Sequence, residues 1–328
     1  MCRAKFNYQK SDRTRLRYSA RAVVLLMGCC AALAIAQSSG PKTFASPGDA
    51  SSALFTAIQR NDEREILDIL GPDGKRIVSS GDATEDANER ANIAQRYQEM
   101  HRLVREPDGT VTLYLGARNW PLPIPLVGTG ASWHFDTAAG EKEILYRRVG
   151  RNEIATIRIC QELVAAEKEY YLAQHNHYAA KIFSDEGQHN GLYWKAAGSE
   201  PKSPIGPMLA FAATDVSHHG RSPAPYRGYY YHLLTSQGKS AADGAKSYFV
   251  DGQMIAGFAF VAYPAEYRSS GVMTFIVGQD GVVYEKDLGK RSAVIASAMK
   301  DFDPDLTWNK SEDAQEQAAA ARSQTNSP

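Results

Sequence analysis

The chain has 328 residues, of which 43% are hydrophobic, 10% aromatic and 23% charged, an ordinary globular balance under which disorder is expected only at the ends. Its 37 basic and 37 acidic residues cancel, but residues 1–36 hold seven Lys/Arg and a single Asp, leaving 30 bases against 36 acids elsewhere. A remainder at −6 with no long Lys/Arg run argues against a nucleic-acid partner, because phosphate binding needs clustered cations.

The basic start leads into "AVVLLMGCCAALAIA", residues 22–36. That apolar core is shorter than the ~20 residues a bilayer span takes, and it ends in the small residues a signal peptidase reads. The expectation is an export signal over 1–36, cleaved after Ala36, and a periplasmic or secreted protein. Contact with a membrane is then expected only through that segment. A second reading, lipidation at Cys29 in "LMGC", fits less well because apolar residues continue past it. Cys2, Cys29 and Cys30 all lie in this segment, so Cys160 is left without an intramolecular disulfide partner.

Residues 37–45 read as a flexible lead. "SPGDASSALFTAIQ" predicts a helix capped by Ser46, with Pro47 in its first turn. A second helix, Glu63–Leu70, should stop at Gly71-Pro72. A third spans about 86–105, with Ile93, Tyr97, Met100 and Val104 on one stripe. "TVTLYLG" (110–116) and "ASWHFD" (131–136) read as strands, and the proline-rich stretch between them as a loop or sheet edge. "EKEILYRRVG" (141–150) reads as a further strand. Helices followed by a twisted antiparallel sheet predict an NTF2-like α+β domain over 46–151.

Asn152 then reads as the cap of a long helix over 153–183, with Ile157, Val164, Tyr171 and Tyr178 seven apart and Cys160 and Ile182 on the same stripe. After an irregular stretch, strands are expected at 228–235, 246–251, 254–263, 271–277 and 282–285. Short linkers make them an antiparallel meander, with Asp280-Gly281 as a tight hairpin turn. Residues 271–277 are apolar on both faces, so this strand should lie inside the sheet and take the long helix as cover on one side. A short helix at about 291–300 closes a second domain over 152–308. Residues 309–328 read as a disordered tail.

Candidate chemistry is sparse. Cys160 sits on an apolar helical stripe, where cysteine behaves as a small hydrophobe. On a helix His175 and His177 point about 200° apart and cannot share an ion; they would converge only if the helix ended earlier. The 185–225 loops hold His189, Asp215, His218 and His219, which could assemble a catalytic or metal site; without a supporting spacing they remain weak candidates. Asp82, Glu85, Asp86 and Glu89 gather at a helix start, where acids complement the helix dipole. Tyr229, Tyr230, Tyr231 and Trp194 are candidates for a recognition surface, or else core. No Gly-rich phosphate loop, nucleophile elbow or His-Glu-x-x-His motif is present, so no cofactor is expected.

"GLYW" at 191, "SPIGP" at 203, "YRGYYYHLL" at 226, "GFAFVAYPAEY" at 257 and "GVMTFIVGQDGVVYEKDLG" at 271 resemble an exported bacterial family, domain of unknown function 2950, over roughly 45–308. The helix, the "GYYYHLL" segment and the "TFIV…DGVVY" hairpin are also similar to a type IV pilin or pseudopilin head. The resemblance implies export and this architecture, and no particular activity. Two functions follow from the whole chain: non-catalytic binding of an envelope protein or small ligand, or a periplasmic hydrolase or metal-binding enzyme using the loop histidines.

Overall fold

The computed structural model describes residues 40–79, 83–173, 176–196, 201–214 and 222–311. The expected signal and Cys29 lie outside the described residues. Among the described residues, no helix is long and apolar enough to cross a membrane. The fold is α+β, with helices and mostly antiparallel sheets around two apolar cores.

The N-terminal part starts with α1 (Pro47–Gln59) and α2 (Glu63–Leu70). The Ser46 side chain accepts the Asp49 N–H, and Asp62 does the same for Glu65, so each first turn has a capped donor. Gly71 then adopts φ +79°, which ends α2 where the sequence said it should. After α3 (Lys75–Val78) comes α4 (Ala83–Glu99). The expected helix ran on to 105, but β1 (His101–Arg105) instead pairs antiparallel with β2 (Val111–Leu115). The turn between them carries Gly109 at φ +88°, so the chain reverses there and Val104 is drawn into a ladder. β3 (Trp120–Pro121), β4 (Leu126–Thr129) and β5 (Ser132–Phe135) complete this sheet in the order β1-β2-β4-β5, with β3 on β2. The expected flexible lead is partly docked, because Phe44 and Trp133 exchange two backbone hydrogen bonds of 2.7 Å.

The largest departure from expectation is α5 (Thr137–Ala173), one 37-residue helix. Residues 141–150 belong to it and form no strand. Asp136 supplies the cap by accepting the Ala139 N–H, and Asn152 lies mid-helix. The run Ile144-Leu145-Tyr146 followed by Gly150 imitates a strand and its stop. In the fold, Glu143 and Arg147 pair one helical turn apart at 2.7 Å, and the helix continues through Gly150. Its far end comes early as well. The chain leaves at Ala173 and passes Asn176 at φ +67°, so Tyr178 and Ile182 pack on the core from a returning segment.

That segment leads through α6 (Pro207–Ala210) to β6 (Tyr229–Leu234). β7 (Ser236–Gln237), β8 (Lys246–Ser247), and the pair β9 (Phe249–Val250) and β10 (Gln253–Met254) form an excursion before β11 (Ala259–Pro264). β11, β12 (Thr274–Gly278) and β13 (Val283–Lys286) pair antiparallel as part of the expected meander, but β6 pairs directly with β11, and the expected strand at 246–251 is left out of this sheet as the short strands of the excursion. Every residue of β11 and β12 is buried, and α5 packs against β11, β12 and β13. α7 (Ser292–Ser297) rests on β11, and β14 (Asp301–Phe302) joins the β7–β8 sheet. β15 (Asn309–Lys310) pairs with β13, and Ser311 is buried, so residues 309–311 are ordered where a disordered tail was expected; the rest of that tail lies outside the described residues.

Candidate functional site

A cavity of about 330 Å³ opens in the N-terminal part, within the usual range for small-molecule sites. Its floor is apolar: Leu54 and Ile58 from α1, Ile66 and Leu70 from α2, and Ile124 from the segment after β3. Ile77 and Val78 of α3, Trp120 of β3, and the helices α4 and α5 supply the remaining walls. Asp86, Glu89, Arg90 and Ile93 fall at i, i+3, i+4 and i+7, one face of α4. Ile144, Arg147 and Arg151 repeat the device on α5 at i, i+3 and i+7. Each helix thus presents an apolar residue and a charged end to the same space.

The wall at Trp120 is held by two cations. The guanidinium groups of Arg96 and Arg147 sit 5.5 Å and 5.6 Å from the indole ring centroid. Arg147 is itself fixed by Glu143 and by donating to the Pro121 carbonyl at 2.7 Å. Arg90 donates to Asn61 and to the Val78 carbonyl. Among the described residues the side chains of Glu89 and Arg151 make no hydrogen bond or ion pair, although both residues line the cavity. The arrangement is an apolar chamber with a rigid aromatic wall and a rim carrying both signs of charge.

The strongly perturbed groups lie elsewhere. Burial pushes the Cys160 thiol up to about 12, so it stays protonated and inert on α5. Burial also lifts the Glu167 carboxyl to about 8, against the pull of the Ala179 N–H that its Oε2 accepts at 2.9 Å. Its Oε1 has no partner among the described residues. Neither side chain lines the cavity. Glu167 acts as a pin: it holds the returning segment onto α5, aided by the Tyr170 hydroxyl donating to the His189 carbonyl.

The other candidates from the sequence divide. Tyr229 and Tyr231 are fully buried in the second core, with their phenol pKa values driven upward by burial. The Tyr229 hydroxyl donates to the Met273 carbonyl. These two fill the core, and so present no face to a partner. Tyr230 is half-buried and packs on Tyr263. Trp194 is also buried, donating to the Pro201 carbonyl and stacking on His189 at 4.5 Å. His189 is thereby engaged as packing, and among the described residues no group of three metal-ligating side chains gathers around it or elsewhere. His177 meets Tyr170 edge-on. Asp82, His175, Asp215, His218, His219 and the side chain of Glu85 lie outside the described residues.

Asp86 and Glu89 do reach the cavity, whereas Trp120, Arg147 and Arg151 were not anticipated from the sequence. The expected strand at 141–150 hides this face, and the helical spacing of Ile144, Arg147 and Arg151 is the signal that finds the two arginines. Neither the curated proteins nor the solved structures contain a match to this chain. The family model described as "Protein of unknown function (DUF2950)" matches residues 41–311, most of the chain and both cores, and the protein belongs to that family.

Proposed function

We propose that this is an exported envelope protein that works by non-catalytic binding, with the N-terminal cavity as its ligand site. Export rests on the basic, short apolar start at 1–36. An NTF2-like reading of residues 46–151 is supported by helices followed by an antiparallel sheet there, with a cavity walled by helices and Trp120, and a pilin-head-like reading by α5 packing on β11–β13. The observation that carries the binding role is the 330 Å³ chamber itself, apolar at its floor and walled by the clamped Trp120. Its lining offers no Cys, His, Ser or Thr among the described residues, and the groups with large upward pKa shifts are sealed in the other core.

Indole, a neutral apolar probe of suitable size, tests this reading. Saturating indole should raise the thermal unfolding midpoint of the native chain, since a ligand that binds only the folded state stabilises it. Ile93→Trp, which fills the chamber, should abolish the rise. An equal rise in that variant would show that indole binds elsewhere and would remove the cavity from the account.

A further inference from the structure

The rim of the chamber narrows what it takes. This inference rests on the cavity being a binding site, and adds the chemical class of its ligand. Its volume of about 330 Å³ is at the small end of the range for ligand pockets, which suits a molecule the size of leucine or phenylalanine. The floor of Leu54, Ile58, Ile66 and Ile124 would receive an aliphatic or aromatic body.

The charges decide the head group. Of the cations on the rim, Arg147 is spent on Glu143 and Pro121, and Arg90 on Asn61 and Val78. Arg151 is left, with no partner among the described residues. On the other helix Glu89 is in the same condition, and the two do not pair with each other. A fatty acid would match Arg151 and meet Glu89 with like charge; an amine would do the reverse. A molecule carrying both an ammonium and a carboxylate matches both. Both residues are on the exposed side of the site, so engaging them costs little desolvation.

We propose that the cavity binds a small apolar zwitterion, an α-amino acid with a branched aliphatic or aromatic side chain. Its carboxylate would be read by Arg151 on α5, its ammonium by Glu89 on α4, and its side chain would occupy the apolar floor.

Titration calorimetry on the full chain near neutral pH, with L-phenylalanine, 3-phenylpropanoate and 2-phenylethylamine, separates the contributions. L-Phenylalanine should bind with one site per chain and about tenfold or more tighter than either analogue, the scale of one charge-assisted hydrogen bond. Arg151→Gln should weaken L-phenylalanine and 3-phenylpropanoate and spare 2-phenylethylamine. Glu89→Gln should give the mirror image. Both side chains are solvent-exposed, so the variants should unfold at the parent's temperature. Equal affinity for the three compounds, or no charge-specific effect of the two substitutions, overturns the zwitterion assignment. If indole still binds and Ile93→Trp still blocks it, the cavity reading survives that result; if no probe binds in a manner blocked by Ile93→Trp, both fall.

Discussion

Glu153 Oε1, midway along α5, accepts the backbone N–H of Val272 at 2.8 Å. The same oxygen takes the Met273 N–H at 3.0 Å, and Asn152 donates to the Ser270 carbonyl beside them. One side-chain oxygen thus satisfies two amides at the entrance to β12 and sets where α5 lies along the sheet. Glu153→Ala should cost about 1–3 kcal/mol, the penalty for leaving donors unsatisfied, and Glu153→Gln less, because an amide oxygen still accepts. Urea unfolding measures both. An Ala variant as stable as the parent would show that the clamp contributes nothing.

Glu167 predicts an unusual pH dependence. Its carboxyl has a folded pKa of about 8 against an ordinary 4.5. Below pH 4.5 both folded and unfolded chains hold the proton, and the stabilisation is complete. Between 4.5 and 8 only the folded chain holds it, so stability falls as pH rises, by about 1.4 kcal/mol per unit at the steepest. Glu167→Gln keeps an acceptor for Ala179 and cannot ionise. Urea midpoints between pH 5 and 9 should therefore slope downward in the parent and much less in the variant. Parallel slopes would remove Glu167 as the cause.

Two glycines should respond to alanine with opposite signs. Gly150 lies inside α5 with open space where a Cβ would go, so Gly150→Ala should stabilise by about 0.4–1 kcal/mol through the unfolded chain. At Gly271 a Cβ would overlap the ring and hydroxyl of Tyr229, which is buried and cannot retreat. Gly271→Ala should lower the melting temperature, where Gly150→Ala raises it. The reverse order would contradict both the continuous helix and the packing of Tyr229.

Cys160, with its thiol pushed up to about 12 by burial, should resist alkylation in the folded protein. Peptide mapping after iodoacetamide treatment should find it unmodified in buffer and fully modified in denaturant. Rapid labelling of the native chain would mean that α5 opens away from the sheet.

Local chemistry made much of this fold legible. Ser46-Pro47 and Gly71-Pro72 bound helices because caps and breakers act within a few residues. Asp280-Gly281 marks the β12–β13 hairpin for the same reason: Gly281 takes φ +77° and Asp280 accepts the Val282 N–H. What was misread depended on distant partners. Residues 141–150 carry a strand-like apolar run, and its helical conformation becomes evident only in the fold, where Ile144 lines the N-terminal cavity and Val149 is buried. Val104 fits a helical stripe until Thr112 arrives as its ladder partner. The cavity was hidden for a related reason. Its walls come from six segments, and the two helical faces that charge its rim are recognisable only once residues 141–151 are known to be helical.

The central claim, that the N-terminal chamber is a binding site, is tested most directly by methyl NMR of isoleucine-labelled protein titrated with indole. Ile58, Ile66, Ile77, Ile93, Ile124 and Ile144 line the chamber, while Ile157, Ile159 and Ile276 sit in the other core and serve as internal controls. Saturable shifts confined to the first group are the expected result. Shifts concentrated at Ile157, Ile159 and Ile276, or none at saturating indole, would contradict it.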